Sequence, residues 1–289
     1  MGYSKSGKIS VAPQRNEKKQ KFRLSGENYY STEANEKFFS ASQIKSFHEC
    51  EERTLAEIEG RWERPKTDSL LIGSYVDAAF ESKKAFNAFK ADHPEIFKRD
   101  GTLKAEYARA DAMISKAKSD KVFANFMSGR KQVIKTANIL GHPFKAKLDV
   151  LRIRGDENDR IVDLKTIRDT KPLYKAGEGK LNFVRYWQYD TQMAIYQAVI
   201  EKATGKKLPT YLACITKEDP PDILLVEVDQ KSIDIELEML SYKIDRYAGI
   251  KAGVIQPTRC ENCSYCRATR KLTGPMSLDM LDLLSGGDE

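Results

Sequence analysis

No stretch of this 289-residue chain approaches the run of about 18 apolar residues that a membrane-spanning helix requires, which excludes a transmembrane class of that kind. The opening segment MGYSKSGKIS lacks an apolar core followed by small residues, so no secretory signal is expected there. Cysteine is sparse, and three of the five cysteines fall between positions 260 and 266. That is not the framework of a secreted, disulfide-stapled domain; it points to a reducing, cytoplasmic setting and a metal site. Histidine is scarcer still: His48, His93 and His142 show no metal-ligating spacing, and an exposed place on a helix is expected for His48.

What the chain does have is charge, 31% of its residues with a net of +7, unevenly placed. Lys5, Lys8, Arg15, Lys18, Lys19, Lys21 and Arg23 face only Glu17 at the N-terminal end, whereas Asp279, Asp282, Asp288 and Glu289 close the chain without a base. Residues 1–26 read as a disordered basic arm, 27–275 as one folded domain, and 276–289 as an acidic, apolar tail. A basic arm can hold a phosphate backbone, but charge alone decides nothing.

Hydrophobic period gives the elements. FSASQIKSFHECEERTLAEIEG from Phe39 predicts one helix, capped by Ser40 or Ser42, with Ile44, Phe47, Leu55 and Ile58 as its stripe. A second is expected from Asp68 or Ser69, and 83–128 is helical in period, interrupted near Pro94 and Gly101. Residues 131–140, 144–153 and 161–165 alternate as strands, separated by the polar turn 154–160. After a Gly- and Lys-rich loop at 169–180 come a helix at 184–203, strands at 208–216 and 223–228, and a helix at 230–250. The order predicts an α/β (α+β) fold with a mixed central sheet flanked by helices.

The chemistry gathers on the middle strands. Phe144, Ala146, Leu148 and Val150 alternate with Lys145, Lys147 and Asp149, so Asp149 faces away from the apolar side. On the returning strand Asp163 and Lys165 share a face, with Leu164 opposite, and a turn centred near 156–157 sets Asp149 across from 163–164. Two carboxylates and a lysine then converge among residues that should be buried, and a hard divalent cation with oxygen ligands is the natural counter-ion. A solvated ladder pairing Lys165 with Asp163 or Asp149 fits the same residues. Gly73, Asp77 and Glu81 share one face of the 69–82 helix, and Gly73 would let that helix approach the sheet closely. Gln188, Gln192 and Tyr196 form a polar stripe on the 184–203 helix, opposite Trp187, Ile195 and Val199.

Cys260-Glu-Asn-Cys263-Ser-Tyr-Cys266 is C-x2-C-x2-C. With Cys50 as a fourth ligand it can hold a tetrahedral zinc or a four-iron cluster in a structural role; free thiols are the alternative. Cys214, in an apolar strand, reads as a buried small hydrophobe.

Taken in order, Gly73-Ser-Tyr-Val-Asp77, Lys147-Leu-Asp149, Asp163-Leu-Lys165 and Gln192-Met-Ala-Ile-Tyr196, with the opening FSASQIKSFHEC, resemble the PD-(D/E)xK nuclease superfamily. The resemblance is to its RecB-like and phage RecE-like exonuclease branch and spans about residues 38 to 275. Members often carry His where this chain has Asp77, which leaves Glu81 as the other candidate on that helix. The resemblance implies a restriction-endonuclease-like fold and a Mg²⁺-dependent (or Mn²⁺-dependent) DNA exonuclease. Asp149 and Asp163 would ligate the metal with the backbone carbonyl of Leu164 and Asp77. Lys165 would activate water, and Gln192 and Tyr196 would position Lys165 or the DNA phosphate. Lys147, Arg152 and Lys175 are candidate DNA contacts.

In that branch one N-terminal and three C-terminal cysteines surround an iron–sulfur cluster, here [4Fe-4S] with Zn²⁺ as the alternative, although the last spacing is shorter than usual. The implied substrate is linear double-stranded DNA, digested on one strand from its 5′ end by a ring-shaped homo-oligomer. The implied setting is the cytoplasm of a bacterial host, under phage or prophage coding, with no membrane partner. Met276-Ser-Leu-Asp-Met-Leu-Asp-Leu-Leu284 is either a frayed tail or a docking segment for a single-strand annealing protein of the RecT-like kind. A repair or CRISPR-adaptation RecB-like nuclease, and a non-catalytic DNA-binding scaffold with a metal staple, are the competing expectations.

Overall fold

Small hydroxyl side chains set the first helices. In the computed structural model, which describes residues 22–65, 67–272 and 274–285, Ser31 and Ser40 accept from the N–H groups of Ala34 and Gln43. They start α1 (Thr32–Lys37) and α2 (Ala41–Glu49). The basic arm up to residue 21 lies outside the described residues; Phe22 packs its ring against Phe38, 6.3 Å between centroids. The single helix expected after Phe39 is two helices. Cys50 is extended (φ −165°, ψ 111°), and α3 (Glu51–Ile58) restarts beyond it. No glycine or proline marks that break, and it carries the Cys50 side chain to the C-terminal cysteines. Thr67, not Asp68 or Ser69, caps α4 (Asp68–Glu81), its Oγ1 accepting from the Leu70 N–H. The charged stretch then gives α5 (Lys83–Asp92), a 3-10 turn at Pro94–Ile96, α6 (Ala105–Ser119) and α7 (Lys121–Phe126).

β1 (Arg130–Ile139), β2 (His142–Arg152) and β3 (Arg160–Ile167) form an antiparallel meander. The segment read as a loop at 169–180 contains a small hairpin, β4 (Leu173–Lys175) with β5 (Gly179–Leu181). β6 (Thr210–Thr216) and β7 (Ile223–Val228) complete a five-stranded sheet of order β1-β2-β3-β6-β7, in which β3 and β6 run parallel. The connection between those two is helical, as a parallel pair requires.

That connection is α8 (Phe183–Tyr186) and α9 (Tyr189–Thr204), separated by Gln188 in the left-handed conformation (φ 53°). The break leaves Trp187 outside the buried stripe assigned to it, at 50% exposure, while Ile195 and Val199 are buried. The last long helix is likewise divided, into α10 (Gln230–Ser241) and α11 (Ile244–Lys251), before α12 (Ser264–Ala268) and α13 (Leu278–Ser285).

Alternation on the strands splits the core in two. Phe144, Leu148, Ile161 and Leu212 pack with Ile44, Phe47, Met193, Ile195 and Tyr247. Val150, Val162, Leu164 and Ala213 pack with Tyr75, Val76, Tyr107 and Phe123 on α4, α6 and α7. The sheet is therefore covered on both faces, the α/β (α+β) architecture expected.

Candidate active site

The site forms where β2 and β3 part. Their pairing covers only Val150–Arg152 against Arg160–Val162. One step further Asp149 lies beside Asp163, and the N–H of Leu164, beyond the end of that pairing, donates to Asp149 Oδ2 at 2.9 Å. The other oxygen, Oδ1, accepts from Gln132 Nε2 at 3.2 Å. Gln132 stands on β1 opposite Asp149, in a left-handed conformation (φ 50°) that interrupts the β1–β2 register.

Asp163 is 2% exposed. Its Oδ1 accepts from Gln192 Nε2 at 2.8 Å, and its Oδ2 is ion-paired with Lys165. Gln192 also donates to the Tyr196 hydroxyl at 3.1 Å, and that phenol donates to the Lys147 carbonyl at 3.1 Å. Gln192 and Tyr196, one helical turn apart, thus tie α9 to both acidic strands.

α4 supplies a third carboxylate. Asp77 and Glu81 border a solvent-open cavity of about 520 Å³, together with Asp149, Asp163, Leu164, Lys165, Gln192 and Tyr196. Asp77 is half-buried and Glu81 exposed. Burial and the charge of Asp149, opposed by Lys165, push the Asp77 carboxyl well above the usual carboxylate range. Burial and the charge of Asp163 do the same to Asp149, against Lys165 and the donors at Leu164 and Gln132. For Lys165, burial favours losing the proton, but the attraction of Asp163 and Asp149 outweighs it and holds the ammonium above its ordinary value. Three crowded carboxylates against one paired lysine leave negative charge unmet. An all-oxygen donor set of this kind suits Mg²⁺ or Mn²⁺.

Where α4 meets β3, a Cβ added at Gly73 would stand 3.4 Å from Thr166 Oγ1, an ordinary contact, so the approach is close without demanding glycine. Gln188 does not join its expected partners: it precedes α9, and its Oε1 is hydrogen-bonded to His48 Nδ1 at 2.7 Å. His48 is accordingly half-buried rather than exposed. Arg152 and Lys175 commit their charges to Asp156 and Glu178, whereas Lys147 lines the cavity.

Three residues at the site were not singled out from sequence. Gln132 had no signal, because a left-handed glutamine in a strand has no compositional mark. Tyr30, 71% exposed, borders the cavity mouth, with its ring edge-on to Tyr29. Lys45, one residue beyond Ile44 of the α2 stripe, places Nζ 4.9 Å from the Tyr189 ring, and Lys165 Nζ lies 5.0 Å from the same ring. At the far end of α2, the sulfurs of Cys50, Cys260, Cys263 and Cys266 all lie within 4.8 Å of one another. Cys214 is fully buried in the core, as its apolar strand implied.

A family model described as a PDDEXK-like domain of unknown function (DUF3799) matches residues 40–269. The chain belongs to this PDDEXK-like family. A crystal structure from Eubacterium rectale, of a protein named "Putative exonuclease", is similar at 39% identity and a TM-score of 0.84, covering 92% of this chain and 99% of its own. The structure of SSO0001 aligns with 70% of this chain and 86% of its own at 17% identity and a TM-score of 0.27. No curated protein sequence matches. The span matched by the family model contains Asp77, Asp149, Asp163, Lys165, Gln192, Tyr196 and the four cysteines. This PDDEXK-like protein is an enzyme of the nuclease class. Among its described residues, no helix is long and apolar enough to cross a membrane.

Proposed function

We propose that this PDDEXK-like nuclease is a Mg²⁺-dependent deoxyribonuclease that digests one strand of linear duplex DNA, 5′ to 3′, leaving single-stranded DNA for an annealing protein. The observation that carries the reading is the convergence of Asp77, Asp149, Asp163 and Lys165, braced by Gln192 and Tyr196, on one solvent-open cavity. Digestion from an end draws on the similarity to the Eubacterium rectale protein and its printed name. Polarity, phage or prophage origin and the cytoplasm of a bacterial host draw on the phage exonuclease resemblance.

Asp149 and Asp163, with Asp77 and the Leu164 carbonyl, would hold Mg²⁺, and Mn²⁺ would suit the same oxygens. When bound, the cation supplies a Lewis acid that polarises the scissile phosphate and lowers the pKa of the attacking water. The residues do the positioning. Gln192 holds Oδ1 of Asp163 and so fixes how that carboxylate faces Lys165. Lys165, kept protonated by its two acidic neighbours, places a fixed positive charge where the phosphate's negative charge grows. Leu164 and Gln132 pin both oxygens of Asp149.

A ring-shaped homo-oligomer around DNA belongs to the same proposal, as does docking of the annealing protein on α13, whose Leu278 and Met280 are exposed. Linear duplex and covalently closed circular DNA, each incubated with Mg²⁺ and with EDTA, test the central reading. Loss of the linear duplex alone, and only with Mg²⁺, is the expected result. Cutting of the circles would replace an exonuclease with an endonuclease, and inertness toward both would leave a DNA-binding scaffold.

A further inference from the structure

The four-cysteine site does not fit the cluster that the fold family implies. We propose that Cys50, Cys260, Cys263 and Cys266 bind a single structural zinc ion rather than [4Fe-4S]. Cys50 Sγ stands 3.6 Å from Cys266 Sγ, Cys260 Sγ stands 3.9 Å from Cys266 Sγ, and no pair among the four exceeds 4.8 Å. Four thiolates at about 2.3 Å from a tetrahedral zinc are about 3.8 Å apart along every edge. A four-iron cube places its own irons and sulfides between the thiolates and spreads them well beyond that. The gap between these sulfurs therefore has room for one ion and not for a cube.

The local backbone agrees. The Cys263 N–H points to Cys260 Sγ at 3.3 Å and the Cys266 N–H to Cys263 Sγ at 3.5 Å, so each two-residue spacer turns a backbone donor onto the preceding sulfur. Such donors stabilise thiolate charge around a metal. Ala56, Trp62 and Tyr265 pack around the sulfurs, and Cys50 and Cys266 are buried. Four protein ligands close the tetrahedron and leave no position for substrate, which makes the site structural.

Its place in the fold says what it stabilises. Cys50 is the break between α2 and α3, and the other three ligands lie more than two hundred residues later around the start of α12. Zinc there locks the C-terminal end of α2, and α2 carries Lys45 to the Tyr189 ring beside Lys165. The inference rests on the cysteines alone and stands or falls separately from the nuclease reading.

Metal analysis of full-length protein, purified both aerobically and anaerobically, tests it directly. One zinc per chain, in colourless protein under both conditions, is expected. Replacing the zinc with Co²⁺ should give the thiolate charge-transfer and intense d–d absorption of a tetrahedral sulfur site. Cys263→Ser, at a half-exposed position, should release zinc to a chromogenic chelator far faster than wild type and lower Tm by about 10 °C. Should that variant fail to fold, zinc release from native wild type reads the same site. Four irons per chain with broad visible absorption that dithionite bleaches would overturn the proposal. So would metal-free native protein whose four thiols react freely with a thiol reagent.

Discussion

Lys165 and Asp163 are two positions apart on one strand, and their pairing makes each dependent on the other. Removing the lysine leaves Asp163, almost wholly out of solvent, with Gln192 as its remaining side-chain partner. Lys165→Ala and Asp163→Asn should therefore each cut kcat by about 10³-fold, the scale of losing a charged group at the developing charge. Circular dichroism should show both variants folded. Single-turnover cleavage of a linear duplex measures the loss, and near-wild-type rates in both would remove these residues from the chemistry. In the proposed reading Gln192 acts through Asp163, to which it donates a hydrogen bond. Gln192→Leu should lower activity by about tenfold and stability by about 1–3 kcal/mol, since it strips the donor from a buried carboxylate. Gln192→Glu would put a second negative charge there, so an activity loss larger for Glu than for Leu distinguishes orientation of Asp163 from mere packing.

At the scale of elements, the strands of the candidate site were legible because a strand has period two: Phe144, Ala146 and Leu148 share one core as their alternation implies, and Asp163 and Lys165 share a face, whereas Val150, expected beside Leu148, packs in the opposite core. The polar stripe on α9 was legible at Gln192 and Tyr196 for the corresponding helical reason. It failed at Gln188, where a left-handed residue ends the helical phase, and left-handed glutamine leaves no trace in composition. The breaks at Cys50 and between α10 and α11 escaped likewise, since no glycine or proline marks either. Gly129 is different, since its backbone demands glycine. It enters β1 at φ +149°, and a Cβ there would stand 2.8 Å from Val150 Cγ1 and 3.0 Å from the Leu151 carbonyl oxygen. Gly129→Ala should cost about 1–3 kcal/mol in a urea melt, the scale of forced backbone strain. Gly205→Ala, at a helix end with φ +73° and open space around it, should cost no more than about 1 kcal/mol. Equal losses would mean that backbone conformation alone, and not the approach of β2, sets the requirement at Gly129.

For the whole molecule, gathering three carboxylates where β2 and β3 part beside α4 should make stability depend on pH and on a bound cation together. Asp77 and Asp149 have folded-state pKa values raised by burial and by a neighbouring carboxylate, Asp149 beside Asp77 and Asp163 beside Asp149. Between the ordinary carboxylate value near 4 and neutrality, the folded protein therefore holds more protons than the unfolded chain. Their contribution is fully present below pH ~4 and is lost as pH rises through the folded values. In EDTA, Tm should consequently fall between about pH 5 and pH 8 more steeply for wild type than for Asp77→Asn, in which one of the repelling charges is gone. Mg²⁺ bound only by the folded state adds about 2.7 kcal/mol at a hundred times its Kd. Because it binds the deprotonated carboxylates, the Tm gain should grow with pH and shrink sharply in Asp149→Asn. A gain independent of pH, or unchanged in Asp149→Asn, would place the cation away from the cavity between α4, β2 and β3. Identical pH slopes for wild type and Asp77→Asn in EDTA would mean that the carboxylates do not repel one another as the geometry requires.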